Sequence, residues 1–222
     1  MTHEAALARC DLFAGLSEDR RAAAVALLEG TRRQYARGNV LHAWGEPMPA
    51  FGLVCAGLVQ VFSYDRDGAP YLLASVEPGG TFGECLSYLS VPAEVHAVAA
   101  RDCEILWLRA EPLRRPADSA LAAEMQQRFC RMLCLHTLQM NGRIRILSRH
   151  SLRGKIWAYL SRLAPAGSEP FTVPLDREAL ASYLGCDRSA LCRELSRMQR
   201  DGLITYHGAR FSLRAPTEGA DR

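Results

Sequence analysis

Short stretches of apolar residues, punctuated differently in different parts of the chain, divide it into three regimes. The first thirty residues read as helix in two segments, Glu4–Arg9 and Ser17–Glu29, around the break Phe13-Ala14-Gly15-Leu16. Ser17 stands where an N-cap hydroxyl accepts from the free amides of the next turn. From Arg33 to Leu108 the pattern changes to short apolar runs between turn signals. These are Arg37-Gly38-Asn39, Ala56-Gly57, Asp65-Arg66-Asp67-Gly68, Glu77-Pro78-Gly79-Gly80 and Arg101-Asp102. Turns spaced this regularly between short strands predict a sandwich or barrel. The clearest hairpin pairs Phe51–Tyr64 with Pro70–Val76, and Gly68 supplies the positive φ that its turn needs.

From Ser119 to Ser148 there is neither proline nor a tight-turn cluster, and the composition predicts one long helix. One apolar stripe runs Cys130, Leu133, Thr137, Met140, Ile144, Leu147; a second runs Leu121, Met125, Met132, Leu135. A helix apolar on two sides needs two partners. One stripe suits the chain's own barrel, and the other, spaced by threes and fours, suits a helix of a second copy. Three shorter helices follow: Ser151–Leu163, Asp176–Leu184 and Arg188–Asp201. Residues 165–170 form a loop between the first two, and Leu203–Tyr206 with Arg210–Leu213 form a small hairpin. Residues 215–222 read as a disordered tail.

The segment from Asp176 to Leu195 carries the functional argument. Leu180, Ala181 and Leu184 form the inner face of one helix, and Gly185 makes a sharp turn. Asp187 can cap the next helix by accepting from the amides of Ser189 or Ala190. Ala190, Leu191 and Leu195 then point inward and leave Arg188, Ser189, Cys192, Arg193 and Arg197 outside. In a helix-turn-helix the start of the second helix enters the major groove. Arginine suits that position because its planar fork bonds both acceptors of guanine or clamps a phosphate.

Charge sharpens this picture. The net charge of +3 hides an asymmetry: residues 1–118 hold 11 arginines against 15 acidic residues, whereas residues 149–214 hold 11 basic against 6 acidic ones. Only the back half is suited to meet a polyanion. No segment has the roughly 20 apolar residues needed to span a bilayer, and Glu4, Asp11, Glu18 and Asp19 are foreign to a signal peptide. The expected location is cytoplasmic, with no membrane partner. Eight cysteines at 10, 55, 85, 103, 130, 134, 186 and 192 include no CxxC pair, so they read as reduced thiols packed like small hydrophobes. Cys130 and Cys134 share a helical face, which suits packing or an inter-subunit thiol pair. The six histidines are scattered singly with no HxH spacing. Spacing therefore singles out no metal ligand and no catalytic residue.

The segments Leu12-Phe-Ala-Gly-Leu-Ser, Pro78-Gly-Gly-Thr-Phe-Gly-Glu, Ala93-Glu-Val-His-Ala-Val-Ala and Leu152-Arg-Gly-Lys-Ile occur in one order. Together with the Arg188 helix and Asp201-Gly-Leu-Ile, they resemble the CRP/FNR family of bacterial regulators over residues 11–214. The resemblance implies an α+β fold with a cupin-like, cyclic-nucleotide-binding-like β-roll sensor at 1–118. A dimerisation helix at 119–148, a winged helix-turn-helix at 149–214 and a tail at 215–222 would follow. It places Arg188, Ser189 and Arg193 at the positions that contact an operator. Many members carry glutamate where Ser189 stands, and a hydroxyl is less selective than a carboxylate, so the family's usual half-site does not transfer.

The resemblance also bears on the signal. The cyclic-nucleotide branch holds its phosphate with an arginine and a small hydroxyl residue where this chain has Glu94 and Val95. A carboxylate there repels an anion, which argues against cyclic AMP. The iron–sulfur branch needs clustered N-terminal cysteines, and only Cys10 is present. The expected effector site is an apolar pocket near Gly83, Glu84, Cys85, Leu86, Tyr88, Met140 and Asn141, its ligand and any cofactor unknown. Haem remains open through Cys85 with His42, His96 or His136. The implied partners are a palindromic duplex operator, a second copy of the chain, RNA polymerase and a small-molecule effector. Two rival readings stay open, a constitutive DNA-binding regulator without effector and a metal-dependent β-barrel enzyme.

Overall fold

The computed structural model describes residues 3–64, 66–68, 70–114, 119–165 and 170–214. The tail at 215–222, the middle of the loop after residue 165 and Asp65 of the hairpin turn lie outside them. Two compact units divide between His136 and Thr137.

The first unit opens with helices α1 (His3–Arg9) and α2 (Glu18–Leu27). The Ser17 hydroxyl caps α2 by accepting from the Arg20 amide at 3.4 Å. Eight strands follow: β1 (Thr31–Tyr35), β2 (Val40–His42), β3 (Ala50–Ala56), β4 (Val59–Tyr64), β5 (Pro70–Val76), β6 (Thr81–Phe82), β7 (His96–Ala99) and β8 (Cys103–Arg109). They build two antiparallel four-stranded sheets, ordered β1-β8-β3-β6 and β2-β7-β4-β5. Helix α3 (Glu84–Leu89) interrupts the strands and α4 (Glu111–Arg114) follows them, before the long helix α5 (Ala120–Leu147).

The unbroken apolar run Phe51–Cys55 is explained by burial on both faces. Toward the barrel interior, Val54 and Ile105 join Met48, Val59, Phe82 and Ala97. On the opposite face, Phe51, Leu53, Cys55, Leu106 and Leu108 pack with Leu7 and Phe13 and with Met125, Phe129 and Met132 of α5. Leu133 packs against this cluster too, so its place is the chain's own core and not the predicted inter-subunit stripe.

The hairpin expected between Phe51–Tyr64 and Pro70–Val76 needs one correction. Only β4 pairs with β5, from Val59 opposite Val76 to Tyr64 opposite Pro70. The chain changes sheet at Gly57, whose φ is +89° and where a Cβ would stand 2.2 Å from the Asp102 carbonyl oxygen. Among the described residues, no helix is long and apolar enough to cross a membrane.

The second unit holds α6 (Leu152–Leu163), α7 (Arg177–Leu184) and α8 (Arg188–Arg200). A small sheet of β9 (Phe171–Thr172), β10 (Ile204–His207) and β11 (Arg210–Leu213) runs in the order β10-β11-β9. Its core gathers Ile156, Leu160, Leu180, Leu184, Leu191, Leu195, Met198 and Phe211. Each fully buried aliphatic side chain of this kind contributes about 1.5–3 kcal/mol.

Candidate nucleic-acid interface and barrel cavity

Two caps and a turn place the second helix of the pair. The Asp176 carboxylate accepts from the Ala179 amide at 2.8 Å and starts α7. Gly185 ends it in the left-handed region (φ 65°, ψ 49°), and α8 begins three residues later. Asp187 occupies the N-cap with extended backbone, but its carboxylate accepts from neither predicted amide. Its negative charge still faces the positive end of the helix dipole.

Helix α8 is strongly two-faced. Leu191, Leu195 and Met198, spaced by four and three, are fully buried. Arg188, Ser189, Arg193 and Arg197 are exposed, and Cys192 is half-buried beside them. Arg188 and Arg193 form no ion pair among the described residues, so both guanidinium groups are available. Arg197 differs: its Nη1 lies 3.4 Å from Glu194 Oε2. Glu194 is also held by Arg153 of α6 at 2.7 Å, and the same arginine reaches Asp201 at 2.8 Å. This Arg153 bridge ties α6 to both ends of α8's C-terminal half.

A second fastening was not legible in the sequence. The Arg177 guanidinium sits 5.1 Å from the Tyr206 ring centroid and 5.0 Å from that of Phe211. It also donates to the Gly208 carbonyl at 2.9 Å. One side chain of α7 thus pins the tip of the β10–β11 hairpin.

The barrel of the first unit holds a half-open cavity of about 200 Å³ lined by His42, Met48, Val61, Phe82, Gly83, Glu84, Cys85, Leu86, Val95 and Ala97. Of the predicted effector residues, Gly83, Glu84, Cys85 and Leu86 are therefore in its wall. Tyr88 is elsewhere, stacked on Phe129 with centroids 5.4 Å apart. Met140 and Asn141 belong to the second unit, where both are exposed. His42, named in the sequence only as a possible haem ligand, and Met48, which sequence reading missed, reach the site from a different part of the chain.

Among the described residues, the wall includes no arginine or lysine. Glu84 is its buried anion, accepting from the Thr81 hydroxyl and lying 3.6 Å from His136 Nδ1. His42 Nε2 meets the Glu46 carbonyl at 3.2 Å. A carbonyl only accepts, so that nitrogen carries the proton. Burial, and then the Glu84 charge, raise the Cys85 thiol above its ordinary value. Glu94 is exposed beside the cavity residue Val95, and its carbonyl accepts from the Ser63 hydroxyl.

Two family models match the chain: the cyclic nucleotide-binding domain over residues 32–119 and the Crp-like helix-turn-helix domain over residues 154–218. A CRP-like cAMP-activated global transcriptional regulator from Mycobacterium tuberculosis is 24% identical over 208 residues, spanning 91% of each chain. The transcriptional activator protein FnrL of Cereibacter sphaeroides is 26% identical over 223 aligned positions, which cover 95% of this chain and 84% of that one. Among solved structures, FixK2 from Bradyrhizobium japonicum superposes with a TM-score of 0.58 at 22% identity, over 83% of this chain and 92% of that one.

Proposed function

We propose that this chain, which belongs to the CRP/FNR family of transcription regulators, reads duplex DNA as a cytoplasmic homodimer through the outer face of α8. The observation that carries the reading is the pair of exposed, ion-pair-free guanidinium groups, Arg188 and Arg193, at the leading end of a helix whose other face is fully buried. Arg188, Ser189 and Arg193 meet base edges or the phosphates beside them, with Cys192 on the same face and Arg197 further along. Residues 1–118 act as the sensor, 119–148 as the dimerisation helix and 149–214 as the DNA-binding domain. RNA polymerase is the further partner.

For the signal, the wall of the cavity supports a small, non-anionic and largely apolar ligand. A cyclic nucleotide would bring its phosphate against Glu84 with no cation to receive it. The volume favours a second reading as well. At about 200 Å³ the cavity falls below the roughly 300–1,000 Å³ of ordinary ligand pockets. That suits a constitutive regulator with a nearly filled barrel. Operator affinity measured with and without candidate ligands separates the sensor from the constitutive protein.

Selection of bound sequences from a random duplex pool tests the central reading. The expected product is an inverted repeat whose half-sites are about one helical turn, roughly 34 Å, apart. A pool that stays random, or a single unrepeated site, would overturn it.

A further inference from the structure

On the helix-covered side of the sheet β1-β8-β3-β6, three donor side chains meet that DNA reading does not use. The His3 Nδ1 lies 3.2 Å from Cys55 Sγ. The Glu104 carboxylate completes the group, and the three donor atoms all lie within 4.8 Å of one another. Each comes from a different element, α1, β3 and β8, so no local sequence pattern announces them.

The backbone explains how they converge. His3 precedes the buried Ala6 and Leu7 of the same helix by three and four residues, which puts it on the face that packs on the sheet. The register of β3 against β8 slips at Cys55: Val54 opposes Ile105, and Ala56 opposes Glu104. Cys55 is the extra residue of a bulge, a device that re-aims a side chain. Glu104 alternates with Leu106 and Leu108, which face the same helices. A thiol–imidazole hydrogen bond accounts for two of the three groups. It leaves a carboxylate beside a buried thiol, an arrangement that a bound cation would reconcile.

We propose that His3, Cys55 and Glu104 form a binding site for a borderline divalent metal ion of the zinc class. The chain supplies one nitrogen, one sulfur and one oxygen donor, and water takes the fourth position. This donor set and count suit a tetrahedral ion of intermediate softness. Binding displaces the Cys55 thiol proton to solvent and staples α1 to the β3–β8 pair.

The test uses the full, untagged chain, stripped with chelator and kept reduced, titrated with cobalt(II) and then zinc(II). One cobalt per chain is expected, with a thiolate-to-metal charge-transfer absorption that zinc abolishes. Cys55→Ala should lose the band, whereas Cys85→Ala, a thiol outside the cluster, should retain it. Where Cys55→Ala disturbs folding by circular dichroism, His3→Ala and Glu104→Gln decide, since both positions are half-buried at the rim and each should weaken binding about tenfold or more. Absence of the band in the unsubstituted chain, its survival in Cys55→Ala, or unchanged affinity in both rim variants would overturn the proposal.

Discussion

At the scale of single residues, the same backbone angle carries different costs in different surroundings. Gly57 and Gly185 both have positive φ, +89° and +65°. An alanine Cβ at 185 would meet nothing closer than Leu147 Cδ2 at 3.8 Å, whereas at 57 it would stand 2.2 Å from a backbone oxygen. Gly185→Ala is expected to cost about 1–2 kcal/mol, the left-handed penalty alone. Gly57→Ala must also move the turn at Asp102 and should cost clearly more. Denaturant midpoints of the two variants check this, and equal losses would contradict the close approach. The arginines of α8 divide in a similar way. Arg197 already faces Glu194, while Arg188 and Arg193 have no ion-pair partner among the described residues. Arg197→Ala should therefore weaken duplex binding less than Arg193→Ala, as read from dissociation constants at one salt concentration.

At the scale of elements, α8 separates its buried face from the face proposed to read DNA. Leu195→Ala leaves a hole in the second unit's core and is expected to cost about 2–5 kcal/mol. Arg188→Ala, on the exposed side, should stay within about 0.5 kcal/mol of the parent. Thermal unfolding of both variants distinguishes the faces, and a destabilised Arg188→Ala would mean that this side chain is packed. This helix was legible in the sequence because its apolar residues recur at helical spacing over thirteen positions. The six-residue α3 was not: Cys85, Leu86, Tyr88 and Leu89 in so short a run fit strand and helix equally. The split of β3 from β4 was marked only by Ala56-Gly57, since apolar residues continue on both sides of it. The cap at Asp187 failed as a local rule, because a residue type at the right position does not fix where its carboxylate turns. The cavity was half legible. Gly83 to Leu86 were found through their contiguous segment, but His42 arrives by the pairing of β2 with β7 and Met48 from the connection between β2 and β3, which no local pattern encodes.

At the scale of the whole molecule, one chain supplies half of a two-fold reader. On α5, Cys130, Thr137, Met140 and Ile144 are exposed, with 65% and 56% of Met140 and Ile144 accessible. An apolar stripe of this kind on a single chain needs cover, and the second copy is the cover proposed here. Ile144→Asp should shift sedimentation from dimer to monomer and reduce operator affinity in step, while the monomer's helix content stays unchanged. An unaltered dimer would place the interface elsewhere. The acidic front and basic back of the sequence fit the proposed division, since like charge would keep residues 1–118 off a duplex that the helix-turn-helix approaches. The most direct test is the ratio of affinities for a selected operator and a scrambled duplex, measured for the parent chain and Arg188→Ala. Loss of a bidentate base contact predicts that the ratio falls about 10- to 100-fold, worth about 1–3 kcal/mol, while scrambled-duplex binding changes little. An Arg188→Ala chain that discriminates as well as its parent would show that α8 does not read the groove.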